Sequence, residues 1–531
     1  MHSQQAPSAL APLRGPVFRM LWLAWFAANL TMAMNDVAAA WLMTSLSDSA
    51  LLVALVQAAS TLPMLLFGIP SGALADIADR RRVFAGTQLW VTLIAIALWA
   101  LASSETLSPA SLLVLTFANG IGLAMRWPVF AAIVPDIVPA SELSAAVGLN
   151  GIAINLSRIL GPVIAGALLA GVGSSYVFLA NVLLSIAAFI QVMRWRSPER
   201  ESALPGERFF IAMRVGIKHV AQSPLMWTTN VRIFLFFLQA TSLTALLPLI
   251  GRSLHAGGPR AFTTLLAAMG AGAIICVLAL PRLRAVLGRD GLVFWGTCIH
   301  ALASVLVVAA PTLWLATPAM VVAGMAWIGT ANSLTVTAQM ALPNWVRARG
   351  MSIFQMAAMA GMAAGATLWG YVASVTTVTA AIVAAAIAGP LSMYLSHRFG
   401  GRQVQEEDLR PATMVNSAPP PAIDIEKDAG PVVVAIEYLI DPQRSAEFKA
   451  VMRETRRARL RQGALSWNLF RDTAEPERYV ESFSYDNWIE HQRLFERFTA
   501  ADLALRERRL AFHAGSEPPR IRRYLADAWN R

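Results

Sequence analysis

The sequence has few charged residues and almost no cysteine. Only 14% of its 531 residues are Asp, Glu, Lys or Arg, whereas soluble globular chains carry about 25%. Cys276 and Cys298 both lie in apolar runs and form no CxxC pair, which argues against a disulfide framework and against a metal site. No glycine-rich nucleotide loop is present, so ATP is not the expected energy source and no cofactor is expected.

The chain contains many long apolar runs. Hydrophobic residues make up 56% of the chain, and a spanning helix needs roughly 20 mostly apolar residues. Twelve candidate spans lie at 18–44, 50–71, 83–103, 109–133, 144–171, 175–195, 227–250, 262–280, 291–310, 314–340, 350–372 and 375–396. The first run is too long for a cleavable signal. The sequence therefore predicts an all-α membrane protein with twelve transmembrane helices in two six-helix halves.

Basic residues alternate between the connections of these spans. One set of connections carries the basic residues, at 80–82, 194–218, 282–289, 347–349 and 398–402, whereas the alternate connections carry only Arg252 and Arg260. The positive-inside rule then places both termini and the basic connections in the cytoplasm and the chain in the inner (plasma) membrane. The net charge of +11 is assigned to connections that face anionic lipid, so no nucleic-acid partner is expected.

The same patterns divide the chain into six segments. We predict a cytoplasmic tail at 1–17, helix sets at 18–195 and 227–396, a cytoplasmic central loop at 196–226, a linker at 397–430 and a soluble domain at 431–531. The second half of the central loop has the pattern of an amphipathic helix on a membrane surface. In the last segment the predicted order βαββαβ is that of an α+β ferredoxin-like domain.

The stretch "GALADIADRRRV", residues 72–83, places two carboxylates and three arginines between two apolar runs. Arginines that merely orient the helices would explain the charge but not the residue order. That order resembles the signature between helices 2 and 3 of the major facilitator superfamily, over a resemblance covering about residues 10–400. Ile77 and Asp79 stand where the family usually has Arg and Gly.

The resemblance implies a transporter that works by alternating access. It also implies a conformational latch at the cytoplasmic mouth, which biases one state rather than contacting substrate. The residues at the matching positions are Gly72, Leu74, Asp76, Arg80, Arg81 and Arg82.

Helix 5 carries "SRILGPVIAG", residues 157–166, which resembles the exporter signature of this superfamily at Gly161, Pro162, Ala165 and Gly166. The resemblance implies tight packing that favours export over leak, and an ordinary small-residue interface is the alternative. Stretches such as "LPNWVRARG" and "ATLWGYVA" resemble the branch that contains the enterobactin exporter and the transmembrane secretion effectors. That branch implies proton-driven efflux of a siderophore-like or drug-like small molecule.

Polar groups inside the spans are costly and usually functional. Asp36 is the candidate proton-coupling residue, and a polar cluster nearer the outer surface is the alternative. Arg126 is a candidate for pairing with an acid or attracting an anionic substrate. Further candidates for the substrate cavity are Asn29, Asn35, Gln57, Asn155, Gln239, Asn332 and Gln355, and an interhelical hydrogen bond is the alternative for each.

Residues 431–526 resemble the antibiotic-biosynthesis monooxygenases through "ERYVESFSYDNWIEHQRL". The resemblance implies a dimer that forms through the sheets of this domain. Trp467, Trp488 and His491 are candidates for a small-ligand pocket. The haem-degrading members use an Asn on the first strand and a His well after the Trp, whereas here the first strand has no Asn and His491 follows Trp488 too closely. We therefore expect a regulatory or dimerising module rather than an enzyme, with a catalytic domain that modifies the transported substrate as the alternative.

Overall fold

The computed structural model describes the backbone of residues 10–77, 79–139, 142–195, 209–254, 258–343, 345–399, 408–410, 412 and 421–526, and most of their side chains. Two compact units are present. The first unit contains Met1–Pro205, Val231–Thr335 and Gln355–Gly400. The second unit contains Gly206–Asn230, Val336–Phe354 and Gly401–Arg531.

Eleven of the described helices are long and apolar enough to cross a membrane. The amino-terminal set comprises α1 (Pro16–Leu46), α2 (Ala50–Ile77), α3 (Arg80–Ser103), α4 (Pro109–Ile137), α5 (Leu143–Gly171) and α6 (Ser174–Arg194). A shorter amphipathic helix, α7 (Phe209–Gln222), follows. The carboxy-terminal set comprises α8 (Pro224–Ser253), α9 (Pro259–Ala309), α10 (Leu313–Met340), α11 (Arg347–Val375) and α12 (Val378–Phe399).

Helix α9 consists of two helices that meet at a kink, within the basic connection predicted between the spans 262–280 and 291–310. Its 51 residues run on through the arginine-rich stretch between the predicted spans. A straight helix of that length would measure about 77 Å, more than twice the ~30 Å apolar core of a bilayer. The helix breaks at Gly288, whose φ of 66° is a left-handed value that favours glycine. The predicted loop is therefore a helical segment with one break.

The two helix sets share an apolar core at one end, which we call the short-connection end because residues 47–49, 104–108 and 310–312 lie there. Buried residues of this core come from both sets, for example Val53 of α2 and Leu246 of α8. At the opposite end, a second buried cluster that runs from Phe18 to Trp195 draws only on the amino-terminal set. Among the described residues, the apolar core that joins the two sets therefore lies toward the short-connection end.

Small residues on α5 permit two close helix crossings. A Cβ on Gly161 would lie 2.5 Å from the Cβ of Ala33 on α1, and a Cβ on Gly166 would overlap the side chain of Thr263 on α9. Gly166 is thus a contact between the two helix sets. Between the glycines lie Pro162, which is inside the helix, and the fully buried Ala165.

The second unit contains a four-stranded antiparallel sheet. Its strands are β1 (Val432–Leu439), β2 (Ser466–Arg471), β3 (Arg478–Tyr485) and β4 (Arg520–Leu525), in the order β2-β3-β1-β4. Strand β1 pairs with β3 and β4, so it is central. Alternate residues of β1 and β3 are buried, among them Val434 and Phe483. This period of two places one face of the sheet against a core.

Three helices accompany the sheet: α13 (Ser445–Arg461), α14 (Trp488–Glu496) and α15 (Ala500–Leu510). The predicted order βαββαβ has one helix between the last two strands, whereas the structure has two, α14 and α15. A new helix starts after Thr499, whose hydroxyl accepts a hydrogen bond from the amide of Asp502, while the Asp502 carboxylate accepts one from the Thr499 amide. This capping box satisfies amides at the start of α15 and ends the continuous helix.

The crossing at Gly166 gives the first prediction. Gly166→Ala should lower the free energy of unfolding by about 1–3 kcal/mol, because the new methyl group overlaps Thr263 in a packed interface. Thermal unfolding of the detergent-solubilised protein measures the change. Gly148→Ala on the same helix is the matched control, since its new methyl group would have nothing within 4 Å. Recovery of stability in Gly166→Ala/Thr263→Gly would confirm the contact, and equal stability of both single variants would contradict it.

Candidate functional site

Asp36 of α1 is a carboxylate inside a spanning helix with one neutral partner. The hydroxyl of Ser60 on α2 donates a hydrogen bond of 2.9 Å to its Oδ1. The neighbouring Asn35 is only 4% exposed, and its amide nitrogen has no hydrogen-bond partner among the described residues. No cation within the described part of the chain forms an ion pair with Asp36. A carboxylate in this setting can take up a proton without breaking a salt bridge.

Arg126 of α4 is a buried cation, with 2% of its surface exposed. One terminal nitrogen donates to the Ala28 carbonyl at 3.2 Å, and its guanidinium carbon lies 5.5 Å from the centre of the Trp25 ring. Trp25 stacks in turn on Phe130 at 4.2 Å. The described residues supply no carboxylate partner, so a carbonyl and a ring face stabilise this charge.

The remaining polar candidates have different surroundings. Asn29 donates to the Trp25 carbonyl at 2.7 Å, and Asn332 accepts a 2.6 Å hydrogen bond from Arg284. Gln57 and Gln355 are partly buried. The side chain of Asn155 lies outside the described residues.

Gln239 lines a small cleft among α8, α9 and α12. This cleft also contains His300, a residue that sequence reasoning missed. Its signal was available, since "CIHAL" places an ionisable side chain in the middle of an apolar run. The other polar groups of the cleft are Ser242, Thr297 and Ser304.

The arginine-rich stretch between α2 and α3 has a local structural function in addition to any latch. Asp79 precedes α3 as its N-cap, and its carboxylate accepts hydrogen bonds from the amides of Arg81 and Arg82. Its φ of −58° is not left-handed, so the backbone does not need the family's glycine. The Arg81 side chain donates to the Met193 carbonyl at the end of α6. The side chains of Leu74 and Asp76 and the surroundings of Gly72 lie outside the described part of the chain.

Trp467 contacts a buried charge in the second unit. Its indole nitrogen donates at 3.1 Å to Glu481, which is fully buried and also accepts hydrogen bonds from Arg459 and Tyr438. Burial raises the pKa of Glu481, and the adjacent Arg459 and Arg509 more than compensate, so that the pKa lies below its usual value. Trp467 therefore supports a structural ion cluster.

Trp488 and His491 lie together, with ring centres 5.3 Å apart. His491 is 4% exposed, and neither ring nitrogen has a partner among the described residues. Burial and the positive charges of Arg523 and Arg459 lower its pKa to about 4. The imidazole is therefore neutral at physiological pH.

Helix α7 contacts the turn after α13 through basic side chains, a contact that sequence reasoning also missed. Lys218 donates to the carbonyls of Ala464 and Leu465 at 3.0 Å each. His219 lies 3.3 Å from the carbonyl of Arg461. His219 thus lies at the last carbonyls of α13, which lack partners within the helix and carry partial negative charge, whereas Lys218 bonds the turn that follows the helix.

Two further contacts surround this turn. Arg214 of α7 pairs with Asp486. Trp345 packs against the His219 ring at 5.4 Å and under the Arg497 guanidinium at 5.0 Å. Arg497 also donates to the carbonyl of Gln462 and pairs with Glu490. We call this group of residues the α7 contact.

Two sets of spanning helices, each with buried polar or charged side chains, define a multi-pass membrane transporter of the major facilitator type. The chain belongs to the transmembrane secretion effector family, whose sequence profile matches residues 7–531. It is 25% identical to the staphyloferrin A transporter of Staphylococcus aureus over 50% of this chain and 66% of that protein. It is 24% identical to macrolide efflux protein A of Streptococcus pyogenes, over 46% of this chain and 60% of that one. The matches thus span less than two thirds of these curated relatives.

Solved structures agree on the fold. A bacterial homologue of the lysosomal transporter Spinster, in an inward-facing and unoccupied conformation, matches with a TM-score of 0.58 and 16% identity. The match covers 73% of this chain and 96% of that one. The nucleoside transporter NupG also matches with a TM-score of 0.58, at 12% identity.

The cap on α3 gives the second prediction. Asp79→Ala should lower the free energy of unfolding by about 1 kcal/mol, because two helix amides lose their acceptor. Asp79→Asn is the matched control, since its side-chain oxygen still accepts a hydrogen bond. Denaturant unfolding in detergent compares the two variants. If Asp79→Asn loses as much stability as Asp79→Ala, the charge of Asp79 rather than its capping hydrogen bonds stabilises the helix.

Proposed function

We propose that this protein exports a siderophore-like or drug-like small molecule across the inner (plasma) membrane in exchange for protons. The observation that carries the proposal is Asp36, a spanning-helix carboxylate with one hydroxyl partner and no cation among the described residues. The names of the relatives, a siderophore transporter and a macrolide efflux protein, support the substrate class.

The topology that we propose has twelve crossings, with both termini in the cytoplasm. Helix α9 supplies two of them, since its length is about twice that needed and Gly288 interrupts it. The alternation of basic connections supports the orientation. For the second unit, the order β2-β3-β1-β4 supports a ferredoxin-like domain.

In this proposal the structure is the state open toward the arginine-rich connections. The mixed apolar core at the short-connection end holds that end closed, with Gly166 as a close contact between the sets. Substrate enters from the cytoplasm, and a proton reaches Asp36 from the other side after the sets have rocked. A charged Asp36 is costly in an apolar surrounding, so its protonation state biases which state is populated.

Proton movement tests this mechanism and is the third prediction. Proteoliposomes that contain wild-type protein should show pH changes on addition of a macrolide such as erythromycin or of a hydroxycarboxylate siderophore. Asp36→Asn should reduce the signal at least tenfold, because an amide cannot carry the proton. Substrate binding, measured by titration calorimetry, should survive.

Ser60→Ala is the matched control, since it removes the hydrogen-bond partner of Asp36 but keeps the titratable group. We expect altered pH dependence with exchange retained. Full proton exchange in Asp36→Asn would remove Asp36 from the coupling mechanism.

The C-terminal domain is proposed to regulate transport through the α7 contact. The second unit includes the first residues of α8, the last of α10 and the first of α11, together with α7 and the sheet. A domain bonded to α7 and Trp345 therefore restrains chain segments that lead directly into spanning helices. The open sheet face, with the exposed Phe470 and Tyr524, is the surface that we propose for a dimer.

The His219 contact at the end of α13 gives the fourth prediction. Burial and the charge of Arg461 lower the pKa of His219 to about 4, against 6.5 for the free side chain. The depressed pKa means that the contribution of His219 to stability is complete above pH 6.5 and is lost as the pH falls toward 4. Hydrogen exchange of residues 461–465 should therefore increase over that interval.

Lys218→Met should increase exchange in the same turn at pH 7, since two carbonyls lose a charged donor. Arg457→Met is the matched control, because this arginine is exposed on α13. Equal protection in both variants would show that Lys218 does not hold the turn.

A further inference from the structure

The cleft between α8, α9 and α12 contains a histidine with one nitrogen unused. His300 is 4% exposed, and its Nε2 has no hydrogen-bond partner among the described residues. Gln239, which lines the same cleft, has an unpartnered side-chain oxygen. Two buried acceptors that share one small cleft are unfavourable unless a donor joins them.

The neighbouring serine defines which imidazole nitrogen carries hydrogen. Ser304 Oγ donates to the His300 carbonyl at 2.8 Å, which uses the only hydroxyl hydrogen. The same oxygen lies 3.4 Å from His300 Nδ1, so it can only accept there. Nδ1 therefore carries the hydrogen of the neutral ring, and Nε2 presents its lone pair to the cleft.

Charged groups lie elsewhere on the helices around this cleft. His300 is the only titratable residue among those that line it. Helix α10 has no charged residue. The charged and other titratable groups on α8, α9 and α12 are Arg232, Arg252, Arg260, Cys276, Arg282, Arg284, Arg289, Asp290, Cys298, Tyr394, His397 and Arg398. Arg232 forms an ion pair with Asp290, with a nitrogen–oxygen distance of 3.0 Å.

Aromatic rings surround the imidazole. Its centre lies 5.8 Å from that of Trp327 and 5.9 Å from that of Phe236. Ring faces stabilise a nearby cation, an effect that grows in surroundings without water. The site thus provides a vacant basic nitrogen, an amide acceptor and an aromatic wall.

We propose that His300 and Gln239 form a second proton-binding site, in the carboxy-terminal helix set and separate from Asp36. A proton taken up at Nε2 forms an N–H bond and makes the ring an imidazolium. The new N–H then donates to the oxygen of Gln239, and one proton satisfies both acceptors. The role of this proton uptake in export rests on the proposed function, whereas proton binding at His300 does not.

Imidazole NMR of the detergent-solubilised, histidine-labelled full chain is the direct test. The chain has seven histidines, and the resonance missing from His300→Gln identifies His300. We expect the Nδ1–H neutral form at about pH 8, with conversion to the doubly protonated form as the pH is lowered. A ring that stays neutral down to about pH 4 overturns the proposal.

Gln239→Leu keeps the histidine and removes its acceptor. We expect proton binding at His300 to weaken about tenfold, the size of effect usual for a lost hydrogen bond to a charged group. Thr297→Val, a change on the same cleft with the hydroxyl bonded to its own helix, is the control and should leave proton binding within about twofold. Equal protonation in Gln239→Leu and wild type overturns the paired site.

Erythromycin separates this proposal from two others. If erythromycin shifts the His300 resonance while the ring stays neutral down to about pH 4, the cleft is a substrate subsite and the proposal is overturned. If the resonance titrates while proteoliposomes show no exchange, the proton site stands and the proposed export fails. Loss of exchange in both His300→Gln and Asp36→Asn, with titration of His300 intact in the latter, supports two coupling sites.

Discussion

The cost of an unsatisfied polar group in apolar surroundings governs this structure. Spanning helices satisfy their backbone groups by hydrogen bonds within each helix. The cost of a missing partner therefore falls on polar side chains. Arg126 is balanced by a carbonyl and a ring face, and Asp36 by one hydroxyl. His300 and Gln239 are left incomplete. The least satisfied groups are thus the ones with capacity for a proton or a ligand.

The same constraint shapes the second unit by a different route. There, Lys218 bonds a carbonyl of the turn after α13, Arg497 bonds the carbonyl of Gln462, and the buried Glu481 is enclosed by Arg459 and Arg509. Each of these charges has a partner, and together they favour one arrangement of the turn and the sheet.

Local patterns were enough to predict most of the secondary structure. Apolar runs predicted the spanning helices, and alternation predicted the four strands of the small sheet, because both signals are contained within one element. The connection predicted between the two halves of α9 is a kink at Gly288 rather than an extended loop, because arginines also suit a helix. Asp36 was visible as a lone acid in an apolar run. The Lys218 contact was not, since its partners lie 246 and 247 residues away.

That separation has a consequence for how the chain is made. Synthesis at about 5–20 residues per second means that α7 leaves the ribosome roughly 12–50 s before the turn that Lys218 binds. Five spanning helices are produced in the interval. The contact between Lys218 and this turn can therefore form only after the spanning helices that lie between them in the sequence have been synthesised.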